Sequence, residues 1–207
     1  MYHYPSYLET DLQRLIPVMK AYPLGLIVTS DGTQFGATHI PLMIEPAADG
    51  GVRLLGHMDA ANPQLAELDN RPVYVVFFGP DTYISPSVYV TRQLPTWNYV
   101  TIHAEGRSRV EAPGVGIFDD IARLAEQSEP PAGWTFDKSE PAITRLAPLI
   151  RRVIIDVTRI EGRFKLSQEK SAADQQAAAN HLIAQSAPER RALLDDLCRR
   201  RTNNDPG

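Results

Sequence analysis

Cysteine is almost absent: Cys198 is the only one among 207 residues. A single thiol cannot form an internal disulfide, so the chain is expected in a reducing, cytoplasmic compartment. The same count excludes zinc sites built on paired cysteines. Long apolar runs are also missing. None approaches the ~20 residues of a membrane-spanning helix, and the N-terminus reads without a secretory signal. There is no Walker loop, no Gly-x-Gly-x-x-Gly and no His-Glu-x-x-His. Ser85 and Ser87 lack the Gly-x-Ser-x-Gly setting of an elbow nucleophile. Nor is there a surplus of positive charge. With 21 basic and 25 acidic side chains the net charge is −4, which gives DNA no support as a partner beyond a local patch.

What the chain does have is a globular composition, 43% hydrophobic and 22% charged, with seventeen prolines that imply long structured loops. That suits one large domain or two small ones. Glu9–Tyr22 places Leu12, Leu15, Ile16 and Met19 at helical spacing, with Thr10 as the expected cap and Pro23 as the stop. Gly25–Ser30 reads as a short apolar strand. Asp31-Gly32 signals a two-residue hairpin, and Phe35–Glu45 reads as the returning strand.

The stretch from Gln34 to Leu65 organises the rest. Val52–Leu55 suits a strand, and Asn62-Pro63 is a helix start with Asn as N-cap and Pro in the first turn. A strand feeding an open helix N-terminus offers unpaired N–H groups to an anion, phosphate above all. Gly56 and Ala60-Ala61 would admit a ligand close to the backbone, with His57 as a further donor. On these residues alone, an ordinary capped helix after a strand is the favoured reading over an anion site.

Pro72–Phe78 is apolar at nearly every position, as a doubly buried strand would be, and Gly79-Pro80-Asp81 is expected to break it before a short strand at Thr82–Pro86. In Thr96–Glu111, Trp97, Tyr99, Thr101, His103 and Glu105 alternate with Asn98, Val100, Ile102 and Ala104, which predicts a long strand with a core side and a site side. Six strands with short connections point to a partly open antiparallel barrel. Helices are expected over Val115–Gln127 and Pro141–Ile150, then a strand at Arg151–Ile160, a turn at Gly162 and a helical tail over Ala172–Arg201 broken at Pro188. Residues 1–170 would then form one domain with a helical insertion at about 114–150, and residues 171–207 a tail. Arg199–Arg201 reads as a solvated helix end. His39, His57 and His103 lie on or beside strands; their spacing carries no metal signature, and hydrogen-bonded or ligand-donor roles suit them better.

Several segments together carry a resemblance: Met1-Tyr2, Ala37-Thr38-His39-Ile40-Pro41, Gly56-His57 with Ala61-Asn62-Pro63-Gln64, Tyr83-Ile84-Ser85-Pro86-Ser87, Pro95-Thr96-Trp97-Asn98-Tyr99, His103-Ala104-Glu105-Gly106-Arg107 and Lys165-Leu166-Ser167-Gln168. In this order, over roughly Met1 to His181, the chain resembles the PaiB-like family of FMN-binding negative transcriptional regulators. The resemblance implies an α+β fold, mainly β with peripheral helices: a Greek-key-like, FMN-binding split barrel. It also implies a homodimer with FMN at the interface. The ligand's phosphate would fall to His57 and Asn62, and the ring edge to Thr38, His39 and the Ile40 backbone, with Pro41 and Gln64 as further cofactor-binding positions. Thr96, Trp97 and Asn98 would form a wall, with Trp97 either stacking or serving as a core aromatic. Lys165, Ser167 and Gln168 would reach in, from the partner subunit if need be.

Three positions depart from the family pattern. Ala60, beside Asp59, stands where a basic residue is usual, which weakens the expected grip on FMN phosphate. Val88 replaces an aromatic residue, and Phe164 replaces a tryptophan. The resemblance leaves a ligand- or redox-responsive regulator as the first reading. A flavin-dependent oxidoreductase is the second, and a haem-binding or haem-degrading variant of the barrel the third. No carboxylate pair or nucleophile–base constellation marks a catalytic centre.

Overall fold

The computed structural model describes residues 4–47, 50–114, 116–130 and 132–199. Met1 and Tyr2 of the resemblance, and Arg200 and Arg201 of the basic tail, lie outside them. In chain order the elements are β1 (Leu8–Glu9), α1 (Leu12–Ala21), β2 (Leu24–Ser30), β3 (Phe35–Pro41), β4 (Met43–Pro46) and β5 (Val52–Asp59). They continue with β6 (Arg71–Ile84), β7 (Thr96–Val110), α2 (Ile117–Ser128), α3 (Pro141–Leu146), β8 (Ile150–Lys165), α4 (Ala172–Gln185) and α5 (Arg191–Arg199). The strands form one eight-stranded sheet in the order β3-β2-β6-β7-β8-β5-β4, with β1 paired to β8. The β1–β8, β2–β3, β4–β5 and β5–β8 ladders are antiparallel, so the fold is α+β with the expected antiparallel sheet.

The ends of that order explain its closure. Strands β3 and β4 stand at opposite ends of the path, yet Leu42 alone separates them in sequence. A flat sheet would hold its outer strands roughly 29 Å apart at ~4.8 Å per neighbour, while two Cα steps reach about 7.6 Å. The sheet therefore has to curl until its ends meet. Leu42 is fully buried at that corner and its N–H bonds to the Pro23 carbonyl at 2.9 Å. The expected single strand Phe35–Glu45 is thus two strands.

The chain divides into two compact units. In the first, residues 1–22, 77–103 and 160–207, helix α1 buries Leu15, Val18 and Met19. Pro17 lies inside this helix and removes one of its hydrogen bonds, at a cost of about 3 kcal/mol. Burying three such apolar side chains contributes roughly 1.5–3 kcal/mol each, so packing outweighs the defect. The helix is capped by Asp11, whose carboxylate accepts the Gln13 N–H at 2.8 Å, and not by Thr10.

Two expected breaks are absent for the same reason. Gly79-Pro80-Asp81 lies within β6, and Gly162 lies within β8, paired to Glu9. A Cβ at Gly79 would sit 3.1 Å from Val18 Cγ1, and one at Gly162 would sit 2.6 Å from Leu15 Cδ2. Both glycines are places where α1 rests on the sheet. Farther along, Ile84 and Tyr89 pack with Ala178 of α4, with Val88 against them.

The second unit holds residues 23–76 and 104–159. Here Met43, Leu55 and Ile154 form a small core under Leu124 of α2. The turn between β2 and β3 spans four residues, because Asp31 Oδ1 gathers the N–H groups of Thr33 and Gln34 and the Thr33 hydroxyl, at 2.7–2.8 Å. The hairpin expected from Asp31-Gly32 is present, with a longer loop than the two residues expected. After Asn62 there is no α-helix but a five-residue 3-10 turn, Pro63–Glu67. No helix among the described residues is long and apolar enough to cross a membrane.

Candidate functional site

The sequence-predicted residues fall into two groups, one in each unit. In the second unit, Thr38 and Ile40 share one face of β3, where Thr38 pairs across the ladder with buried Ile27. His39 takes the opposite, exposed face beside Leu26. Asn62 joins Thr38 directly: its Nδ2 donates to Thr38 Oγ1 at 3.0 Å, while its Oδ1 accepts the Gln64 N–H at 2.9 Å. Gln64 is buried and acts as a bolt, its Nε2 donating to the Ile27 carbonyl at 3.2 Å and to Thr29 Oγ1 at 3.1 Å. Its Oε1 accepts from no described residue.

Gly56 does not make room for a ligand. A Cβ there would lie 2.8 Å from Ile40 Cδ1, 2.9 Å from Leu42 Cδ2 and 2.9 Å from the Pro41 carbonyl oxygen. The space belongs to the β3–β4 corner. Successive strand residues alternate faces, so His57 looks the other way. It stands opposite Arg152 on β8, whose guanidinium bonds buried Asp120 and meets Glu111 Oε2 at 2.8 Å. Burial holds the His57 imidazole below its ordinary pKa, against the opposing pull of the Asp120 carboxylate. His57 is therefore parted from Thr38 and Asn62 by the pleat.

The turn that was to cradle an anion has spent its donors. The Ala60 N–H goes to the Leu149 carbonyl at 2.8 Å, Ala61 to Asp59 Oδ1 at 2.8 Å, and Asn62 to the Asp59 carbonyl at 3.0 Å. Gln64 goes to Asn62 Oδ1 at 2.9 Å and Leu65 to the Asn62 carbonyl at 3.1 Å. Pro63 has no N–H to give. Any phosphate here would have to be met by side chains.

In the first unit, β7 sends Thr96 and Asn98 to one face and Trp97 to the other. Trp97 is 53% exposed and meets Tyr83 edge-on at 5.9 Å. Thr96 Oγ1 accepts from Lys165 Nζ at 2.5 Å, and burial lowers the pKa of that amine. Ser167 Oγ donates to Asn98 Oδ1 at 2.9 Å and lies 3.1 Å from the Tyr89 hydroxyl. Asn98 is buried, and its Nδ2 has no partner among the described residues. Ser167 itself adopts φ 62°, a left-handed conformation that costs a non-glycine residue on the order of 1–3 kcal/mol. The Gln168 amide is fully used: Nε2 donates to the Ser6 and Phe164 carbonyls at 2.7 and 2.6 Å, and Oε1 accepts the Leu166 N–H at 2.7 Å. It ties off the end of β8.

Sequence reasoning missed a heavily bonded carboxylate of this unit. Asp174 is fully buried at the start of α4. It accepts the N–H groups of Val90 and Thr91 at 2.7 and 2.9 Å, the Thr91 hydroxyl at 2.5 Å and Gln93 Nε2 at 3.1 Å. The Thr91 hydroxyl first, then these N–H groups, hold its carboxyl far below the usual carboxylate range. The available signal was Ser171-x-x-Asp174, a capping pattern at the head of the tail helix. Glu105 pairs with Arg159 at 3.1 Å on the surface, and no cluster of metal-ligating side chains occurs among the described residues.

Residues 1–159 match the family described as "Putative FMN-binding domain". The chain is 27% identical over 200 residues to protease synthase and sporulation protein PAI 2 of Bacillus subtilis strain 168, covering 92% of this chain and 94% of that one. Among solved structures, the flavocytochrome Anf3 of Azotobacter vinelandii superposes with TM-score 0.63 at 11% identity, over 79% of this chain and 72% of that one. An FAD- and haem-binding protein of Mycobacterium smegmatis gives 0.59 at 15% identity, over 83% and 80%. At such identities these two report a shared fold alone.

Proposed function

The chain belongs to this FMN-binding domain family, and on that premise we propose that it binds FMN and works as a ligand- or redox-responsive regulator, a homodimer in the cytoplasm. The observation that carries the cofactor is the match over residues 1–159, which takes in every expected contact from Thr38 to Asn98. FMN asks for donors to a phosphate, polar groups along the ribityl chain and a flat apolar slot with hydrogen bonds at the ring edge. Within the second unit, Thr38 with Asn62 offers the first kind of contact; the first unit by itself holds Asn98, whose buried Nδ2 has no partner among the described residues. When bound, the flavin would supply hydride and electron chemistry, and these residues would bind and orient it.

Regulation is favoured over catalysis by what surrounds the two groups. Their ionisable members are His39, His57 and Lys165; Lys165 bonds the Thr96 hydroxyl, and none of the three is joined to a free carboxylate in the hydrogen bonds described above. The homodimer is supported by exposed apolar side chains. In the second unit, Phe35 is 81% exposed at the edge of a shallow groove with Val28, Pro72 and Tyr74. A second copy would cover such a patch, and its removal from water favours association.

The absorption spectrum of the purified protein tests the cofactor: flavin bands are expected, and a Soret band in their place would shift the reading to haem. Stopped-flow mixing of FMN-loaded protein with NADH or NADPH tests the role. Slow or absent reduction, with a flavin-dependent change in binding to a partner or to DNA, is the expected result. Rapid reduction with turnover would replace the regulator with an oxidoreductase. Sedimentation equilibrium at micromolar concentration tests the dimer, and Phe35→Glu is expected to weaken it.

A further inference from the structure

Arg151 stands beside the saturated Asp59–Leu65 turn. The β5–β8 ladder pairs Met58 with Arg151 and Asp59 with Ile150, and the Ala60 N–H to Leu149 carbonyl bond carries the same register one step further. Ala60 and Arg151 are therefore diagonal neighbours on one face, about 7–8 Å apart at the backbone. That face of β5 also carries Gly56, where a Cβ would meet Ile40 Cδ1 at 2.8 Å, and Ile40 shares its face of β3 with Thr38. Arg151, Ala60, Thr38 and Asn62 thus belong to one side of the second unit.

The guanidinium is held but not neutralised. Its Nη1 donates to the carbonyl oxygens of Pro148 and Ile150 at 2.9 and 3.0 Å. No carboxylate pairs with it among the described residues. Arg152, next in sequence, points to the other face and meets two carboxylates, Asp120 and Glu111. A half-buried arginine fixed by backbone carbonyls, with Nε and Nη2 unspent, is suited to a two-pronged bond to the oxygens of a phosphate. The Thr38 hydroxyl accepts from Asn62 and keeps its own hydrogen to give.

We infer that Arg151 is the cation that binds the ligand's phosphate at this turn, with the Thr38 hydroxyl as its second donor. The inference rests on the FMN reading above and deepens it. The backbone N–H groups of Ala60, Ala61, Asn62, Gln64 and Leu65 are committed, so a phosphate at this turn has to be met by side chains, and Arg151 is the cation that the β5–β8 register brings beside it.

Titration of flavin fluorescence or calorimetry, with FMN and with riboflavin (the same flavin without its phosphate), separates the possibilities. Wild-type protein is expected to bind FMN more tightly than riboflavin. Arg151→Gln should lose about tenfold or more in FMN affinity, the worth of one charge-assisted hydrogen bond to a phosphate, and leave riboflavin affinity unchanged. Arg151→Lys should fall between the two. Adding Ala60→Arg to Arg151→Gln should restore FMN affinity, because a guanidinium from the diagonal position reaches the same space. Unchanged FMN affinity in Arg151→Gln, or equal losses for both flavins, would overturn the assignment and leave FMN binding standing. A wild-type protein that binds neither flavin would overturn the FMN reading itself.

Discussion

Gly56→Ala probes the corner where the sheet closes. The added Cβ meets two flexible side-chain ends, Ile40 Cδ1 and Leu42 Cδ2, and one rigid atom, the Pro41 carbonyl oxygen at 2.9 Å. The side chains can turn aside; the carbonyl moves only with the β3–β4 corner. Overpacking of this kind costs about 1–3 kcal/mol, offset by about 0.4–1 kcal/mol from the less flexible unfolded chain. The net loss is roughly 0–2.6 kcal/mol, which for a chain of this size lowers the melting temperature by up to about 10 °C. Strand β3 also carries Thr38, so a shift of the corner lengthens the Thr38–Asn62 bond, and FMN affinity should fall with stability. Thermal melts followed by circular dichroism, with flavin titration on the same samples, measure both. Ile40→Val in the same chain should restore only part of the loss, since it frees the side-chain contact and leaves the carbonyl. A Gly56→Ala protein more stable than wild type would refute the close approach of β3 to β5.

Phe164 is fully buried, and Phe164→Ala is expected to cost about 3–5 kcal/mol in chemical denaturation; a loss under 1 kcal/mol would mean that the first unit packs differently. Burial depresses the His57 pKa, so its stabilising contribution is complete above the unfolded value of about 6.5 and is lost as pH falls through the lower folded value. An NMR titration should place the His57 midpoint below 6.5 and, because Asp120 raises it, lower still in Asp120→Asn. Asp174 has the same sign at lower pH: its contribution is present above the usual carboxylate range and lost as pH falls through its depressed folded value. Asp174→Asn should therefore lower the melting temperature near neutrality and flatten its decline in acid.

Where the sequence pattern was local, it was legible. Alternation in Thr96–Val110 gave both the strand and its two faces, and the apolar spacing of Leu15 and Met19 gave the buried side of α1. The tail was read correctly down to its interruption at Pro188. The errors came where a distant element decides the local outcome. Gly79 and Gly162 look like turn residues until α1 is laid over them, and Leu42 looks like the middle of a strand until the sheet has to close. The site was legible as residue types and less so as geometry. The Asn62 cap was foreseen, but its effect was to consume donors rather than present them. Arg151 carried no motif; only the pairing of Met58 with Arg151 puts it next to the turn.

The one-residue link at Leu42 has a kinetic consequence. The β2–β3 and β4–β5 hairpins flank it, so both can form from neighbouring residues and arrive already joined. The ladder of β5 with β8 is another matter, since Arg53 and Asp156 are 103 residues apart. Closing a loop of that length costs about 4 kcal/mol of chain entropy, against about 1 kcal/mol for a four-residue hairpin loop. The β5–β8 ladder is then expected to form after the two hairpins, which offer it a ready edge.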